Sequence, residues 1–156
     1  SIRAQKKLIE LHLIGPLQSN KVNLALETFD VIQTLDREKI AIKIKKYFDE
    51  KGNIFKRSFF VQVNVGAEDQ KSGIETNKTE QFVEWCVNDL NLNVNGLMCI
   101  PPYGEDSQPY FKKVKNLCEQ LNLPHASMGM SNDFVDAIKN KATHIRVGTG
   151  IFGSRT

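Results

Sequence analysis

The sequence predicts an α/β fold: a TIM-type (β/α) barrel of parallel strands, incomplete, with about six of the eight βα units of a closed barrel. Three observations predict it. Short apolar runs alternate with segments of helical periodicity along the chain, the pattern of repeated βα units and a parallel sheet. Glycine, proline, asparagine or aspartate punctuates the runs. Two segments rich in glycine and hydroxyl residues follow the last two runs, one βα unit apart. A barrel places its phosphate-binding loops there.

The elements follow in order. Leu11 to Ile14 reads as a short strand closed by Gly15-Pro16. Leu17-Gln18-Ser19-Asn20 is a loop into a helix near Lys21 to Phe29. Val31 to Leu35 is the second strand. Asp36 is placed to cap a helix running to about Glu50, with Ile40, Ile44, Tyr47 and Phe48 at helical spacing, and Gly52-Asn53 breaks it. Ser58 to Val65 is the clearest buried strand, followed by a polar loop from Gly66 to Gly73. Thr76 or Asn77 starts a helix to about Leu90. Val94 to Ile100 is a strand stopped by Pro101-Pro102; a loop from Gly104 to Gln108 leads into a helix to Leu121. His125 to Met128 is a short strand, Phe134 to Lys139 a helix, and Thr143 to Val147 the last strand.

Size and composition narrow the class. A chain of 156 residues is expected to be one domain, 1–156. A full barrel takes about 250 residues, so the first two βα units are expected to be missing from this stretch. The opening Ser1 to Glu10 reads as a helix already in progress. Lys and Arg number 21 against 18 acids, and no basic stripe carries interleaved aromatics, so no nucleic-acid partner is expected. No apolar run is long enough to span a membrane. Cys86, Cys99 and Cys118 are odd in number and far apart, without metal spacing, which fits a reducing, cytoplasmic setting.

Candidate chemistry concentrates in the last third. The first glycine-rich segment contains Ser127, Gly129, Met130 and Ser131; the second contains Arg146, Gly148 and Thr149. Small residues entering a helix present backbone N–H groups to an anion. Arg146 lies two residues before Gly148 and, in a barrel, points inward or emerges beside the phosphate loop. Its guanidinium stays charged and donates to an anion or a ring nitrogen. Taken alone, Arg146 reads as a strand-closing surface arginine in a salt bridge and Ser131 as a helix-capping serine beside Asn132 and Asp133; the pairing of the two glycine-rich loops is what turns the reading to binding. Asn64, ending the best strand, is either a ligand contact or a structural amide. His12, His125 and His144 have no zinc spacing and read as structural.

These stretches resemble the pyridoxal phosphate homeostasis proteins, also called the proline synthetase co-transcribed family, which share the alanine racemase N-terminal barrel. The resemblance rests on Leu13 to Lys21, Gln62 to Val65, Lys71 to Ile74, Gly96 to Pro101, Ser127 to Ser131, and Arg146 to Gly153. It implies pyridoxal 5'-phosphate (PLP) as the ligand, its phosphate against Gly129-Met130-Ser131 and Gly148-Thr149, and Arg146 facing the pyridine nitrogen. It implies a carrier and regulator of PLP inside the cell rather than an enzyme with turnover. An alanine racemase-like enzyme and a generic barrel phosphate binder remain the alternatives. The family's Schiff-base lysine sits in an Ala-Val-Ser-Lys-like run on its first strand, and no such run occurs here. Neither Lys21 nor Lys71 takes that place, so PLP is expected to bind non-covalently at best. Where the family often has His-Ser, this chain has Gln33-Thr34. The exposed strand edges, Leu11 to Ile14 and Thr143 to Val147, are expected to favour self-association.

Overall fold

A parallel sheet with crossover helices buries both of its faces, which is why its strands read as near-continuous apolar runs. The computed structural model describes residues 9–52, 57–68 and 72–153. The strands are β1 (His12–Leu13), β2 (Val31–Leu35), β3 (Ser58–Asn64), β4 (Ile74–Glu75), β5 (Val94–Cys99), β6 (His125–Met130) and β7 (His144–Arg146). Between them lie α1 (Val22–Thr28), α2 (Glu38–Lys51), α3 (Thr79–Asn88), α4 (Gln108–Gln120) and α5 (Phe134–Lys139), with α6 (Thr149–Phe152) after β7. Every ladder is parallel, in the order β1-β2-β3-β5-β6-β7, with β4 attached to β3 off that path. This is a parallel half-barrel, as the alternating pattern predicts.

The core fills the space between the sheet's outer face and the helices. Ile32, Leu35, Phe59, Val61 and Leu97 point outward and are fully buried. Ile40 and Ile44 of α2, and Phe111 and Val114 of α4, meet them at helical spacing. Each such side chain contributes about 1.5–3 kcal/mol of burial. Phe60, Val31 and Met98 form a separate cluster on the inner face. The three cysteines are free and buried, and burial pushes Cys86 and Cys99 up to about 12 and Cys118 up to about 11. No helix among the described residues is long and apolar enough to cross a membrane.

Several local expectations change. Asp36 does not cap α2: the residue before Glu38 is Arg37, and the Asp36 carboxylate accepts from Arg37 Nη1 at 2.5 Å instead. A neighbouring guanidinium outcompetes the backbone N–H for that oxygen. The polar loop after β3 ends in β4, too short to announce itself by periodicity. β6 runs on to Met130, beyond Met128, through an irregular register with β7. Residues 1–8 of the expected opening helix, Asn53 and Lys71 lie outside the described residues.

Three registers carry an extra residue, one of them between β3 and β5, where Phe59 pairs with Val94 but Phe60 with Gly96. In the other two, Ile32 pairs with Phe59 but Leu35 with Val61; Ser127 pairs with His144 but Met130 with Arg146. These two bulges sit at Gln33-Thr34 and Met128-Gly129, where they re-aim side chains. Gly129 has φ +94°, and a Cβ there would lie 2.5 Å from the Ala137 Cβ and 2.9 Å from the Phe134 Cα. Gly129 therefore lets α5 close onto β6. Gly129→Ala is expected to lower stability by roughly 2–4 kcal/mol, from a left-handed non-glycine residue plus overpacking; chemical denaturation measures it, and an unchanged midpoint contradicts the packing role.

Candidate functional site

Side chains alternate across a strand, so parity decides what lines the interior. The inner face is built in layers. Toward the strands' amino ends, Phe60 sits among imidazoles: its ring is 5.6 Å from His125 and 5.2 Å from His144, with His12 6.4 Å away. His144 is also 5.1 Å from His125 and 5.5 Å from His12. Burial first, then His125 and His12, lowers the His144 pKa from its ordinary 6.5. The three histidines are thus gathered in one place, although no group among the described residues is arranged to hold a metal ion.

The next layer, toward the carboxyl ends, is polar. Arg146 is only 8% exposed. Its Nη1 donates to Ser127 Oγ at 2.8 Å and its Nη2 to the Cys99 carbonyl at 2.7 Å. It forms no ion pair among the described residues. Burial lowers its pKa, yet a guanidinium keeps its charge. Arg146 is therefore an inward cation, not a surface arginine closing a strand. Fully buried Ser127 stands 2.5 Å from Gln33 Oε1; Gln33 Nε2 is 2.8 Å from His12 Nδ1, and His12 Nε2 is 2.7 Å from Glu10 Oε1.

The two glycine-rich loops meet at the rim. Ser131 Oγ accepts the Gly150 N–H at 3.1 Å, so this hydroxyl ties the loops together rather than capping α5. Asp133 instead accepts the Met130 N–H at 2.6 Å. A Cβ at Gly148 would meet nothing within 4 Å, and Thr149 opens α6 beside that space. Asn64 is committed locally: its Nδ2 donates to the Glu68 carbonyl at 2.9 Å and its Oδ1 accepts the Glu68 N–H at 3.3 Å. Asn64, Gln62, Ser72, Ile14, Pro16 and Ile100 line a cavity of about 340 Å³ at the carboxyl ends of β1, β3 and β5. The glycine-rich loops do not line it; Ile100 connects the two regions, following Cys99, whose carbonyl Arg146 holds.

Sequence reasoning placed Ser127, Ser131, Arg146, Gly148 and Thr149 in one region and missed Gln33 and His12. The available signal was parity: both share the inward phase of their strands with Ser127 and Arg146.

Residues 2–156 match the family of the alanine racemase N-terminal domain. The chain belongs to that family. Within it, the chain is 42% identical to the pyridoxal phosphate homeostasis protein of Aquifex aeolicus, over 94% of its own length and 68% of the relative's. Its identity to the Pasteurella multocida protein of the same name is 41%, over 97% and 69%. Among solved structures, PipY of Synechococcus elongatus PCC7942 without PLP superposes with a TM-score of 0.83 at 30% identity, covering 96% of this chain and 74% of PipY. PipY with PLP bound gives 0.80 at 29%, covering 96% and 73%. This family member thus spans about two-thirds of the two homeostasis proteins and about three-quarters of PipY.

The lowered His144 pKa sets a pH dependence. The unfolded chain takes up this proton first, so stability is intact above about pH 6.5 and falls as pH drops through that value. Urea midpoints at pH 7.5 and 5.5 are expected to show the loss, and His144→Gln to reduce it; a flat wild-type profile contradicts it.

Proposed function

We propose that this chain binds PLP non-covalently and serves intracellular PLP homeostasis without turnover. The observation that carries this reading is a buried guanidinium that makes no ion pair among the described residues, near two stitched loops that leave open space at Gly148. The residues fit the ligand. Ser131, Gly148 and Thr149 supply a hydroxyl pair and close backbone approach for a phosphate, with Met130 flanking them and Gly129 setting the loop's entry. Arg146 supplies N–H groups for an uncharged ring nitrogen, and Ser127 holds Arg146. Asn64 belongs to the adjoining cavity wall, its amide already spent on Glu68. When bound, the cofactor supplies an electron-withdrawing pyridine, which a partner that donates a hydrogen bond without yielding its proton leaves unprotonated. The relatives that carry PLP in their names support the same ligand.

The half-barrel leaves β1 and β7 each paired on one side within this sheet. Self-association along those edges follows from their having no second strand partner among the described residues. Light scattering is expected to find species larger than a monomer.

Spectrophotometric titration with PLP, competed by inorganic phosphate, tests the ligand. The wild-type chain is expected to prefer PLP. Arg146→Ala should abolish that preference by roughly tenfold or more, the value of a hydrogen bond to a charged group. Gly148→Ala should weaken both ligands without moving the thermal midpoint. Equal affinity for PLP and phosphate in wild type would favour a generic phosphate binder, and interconversion of alanine enantiomers a racemase.

A further inference from the structure

The polar contacts of the inner face form one chain with one direction. Arg146 is always a donor, so Ser127 Oγ accepts from its Nη1 at 2.8 Å. Ser127 then has its own O–H to give, and Gln33 Oε1 lies 2.5 Å away as acceptor. With its oxygen turned to Ser127, Gln33 presents its NH₂ to His12 Nδ1 at 2.8 Å. That nitrogen must then be the bare one. The imidazole proton sits on Nε2, which faces Glu10 Oε1 at 2.7 Å. With the Gln33 amide oxygen on Ser127, each partner's role leaves the next a single choice. The order runs from a buried cation on β7, through β6 and β2, to an exposed carboxylate before β1.

We propose that Gln33 and His12 are positioning residues for Arg146: through Ser127 they lock the guanidinium so that its remaining N–H groups meet the ligand's ring. This rests on the PLP reading for the identity of the ring, and on the chain alone for the locking. Two fixed bonds, to Ser127 and to the Cys99 carbonyl, orient a planar fork. A rotating Ser127 would hold it less firmly. The Ser127 hydroxyl is fixed because Gln33 Oε1 accepts its hydrogen bond, and Gln33 is fixed because its NH₂ donates to His12 Nδ1. The bulge at Gln33-Thr34 serves this arrangement by turning the amide inward.

Nitrogen-15 NMR of the full chain tests the proposal, free and titrated with PLP or inorganic phosphate, in wild type, Gln33→Leu and Gln33→Glu. In free wild type, His12 is expected to carry its proton on Nε2 with Nδ1 bare, and the Arg146 Nη signals separate through slow rotation. In Gln33→Leu those Nη signals merge and PLP binds roughly tenfold more weakly, while phosphate affinity is unchanged. Gln33→Glu keeps an acceptor for Ser127 but offers His12 no N–H. The Arg146 signals are therefore retained, and His12 gains a second proton, on Nδ1, between the two carboxylates. A wild-type His12 protonated on Nδ1 overturns the proposal, as do Arg146 signals indifferent to Gln33→Leu at an unchanged thermal midpoint. If Gln33→Leu does not fold, the wild-type tautomer and Gln33→Glu decide. A wild-type chain that ignores PLP retires the proposed function alone, because the free-chain signals need no ligand.

Discussion

A positive charge buried inside the sheet, with no ion pair among the described residues, is the constraint around which the inner face is organised. Removing an ion from water costs several kcal/mol even after relaxation. Arg146 cannot escape by losing its proton. What remains is hydrogen bonding, and the structure supplies a serine oxygen and a main-chain carbonyl from two different strands. Neither carries full charge, so the electrostatic demand of the guanidinium is only partly met. An electron-rich ring nitrogen or an anion near it completes the balance.

That demand explains why the inner face is polar at one end and aromatic at the other. Phe60 and the imidazoles fill the end where strands begin, while Gln33, Ser127 and Arg146 occupy the end where they finish. In barrels of this architecture, chemistry gathers at the carboxyl ends because the following loops converge there. The outer face instead carries the main hydrophobic core, against which the helices pack.

The fold was legible where the physics is local. Val31–Leu35 and Phe134–Lys139 match their expected bounds because apolar content and turn residues delimit them without help from the rest of the chain. β4 was not legible, since two residues carry no period and Ile74–Glu75 is a strand only because β3 lies beside it. In the site, the nearness of Ser131 to the second loop followed from two similar segments in consecutive βα units. Gln33 was different. Its contacts reach 21 residues back to His12 and 94 forward to Ser127, and nothing in Gln33-Thr34 itself announces either. Asp36 misled for the opposite reason: a plausible cap was diverted by the arginine immediately after it.

The extra residue in β2 also limits how the chain can change in length. Thr34 Oγ1 donates to the Gly15 carbonyl at 2.9 Å, fastening the turn after β1, while its neighbour Gln33 serves the interior. Without the additional position, one residue would have to do both tasks from opposite sides of the sheet. A deletion here would repair the ladder and still sacrifice either the fastening or the amide. Spacing between Ile32 and Leu35 is thus as much a part of the protein's information as the side chains themselves, and descendants of this gene should tolerate substitutions there more readily than gaps.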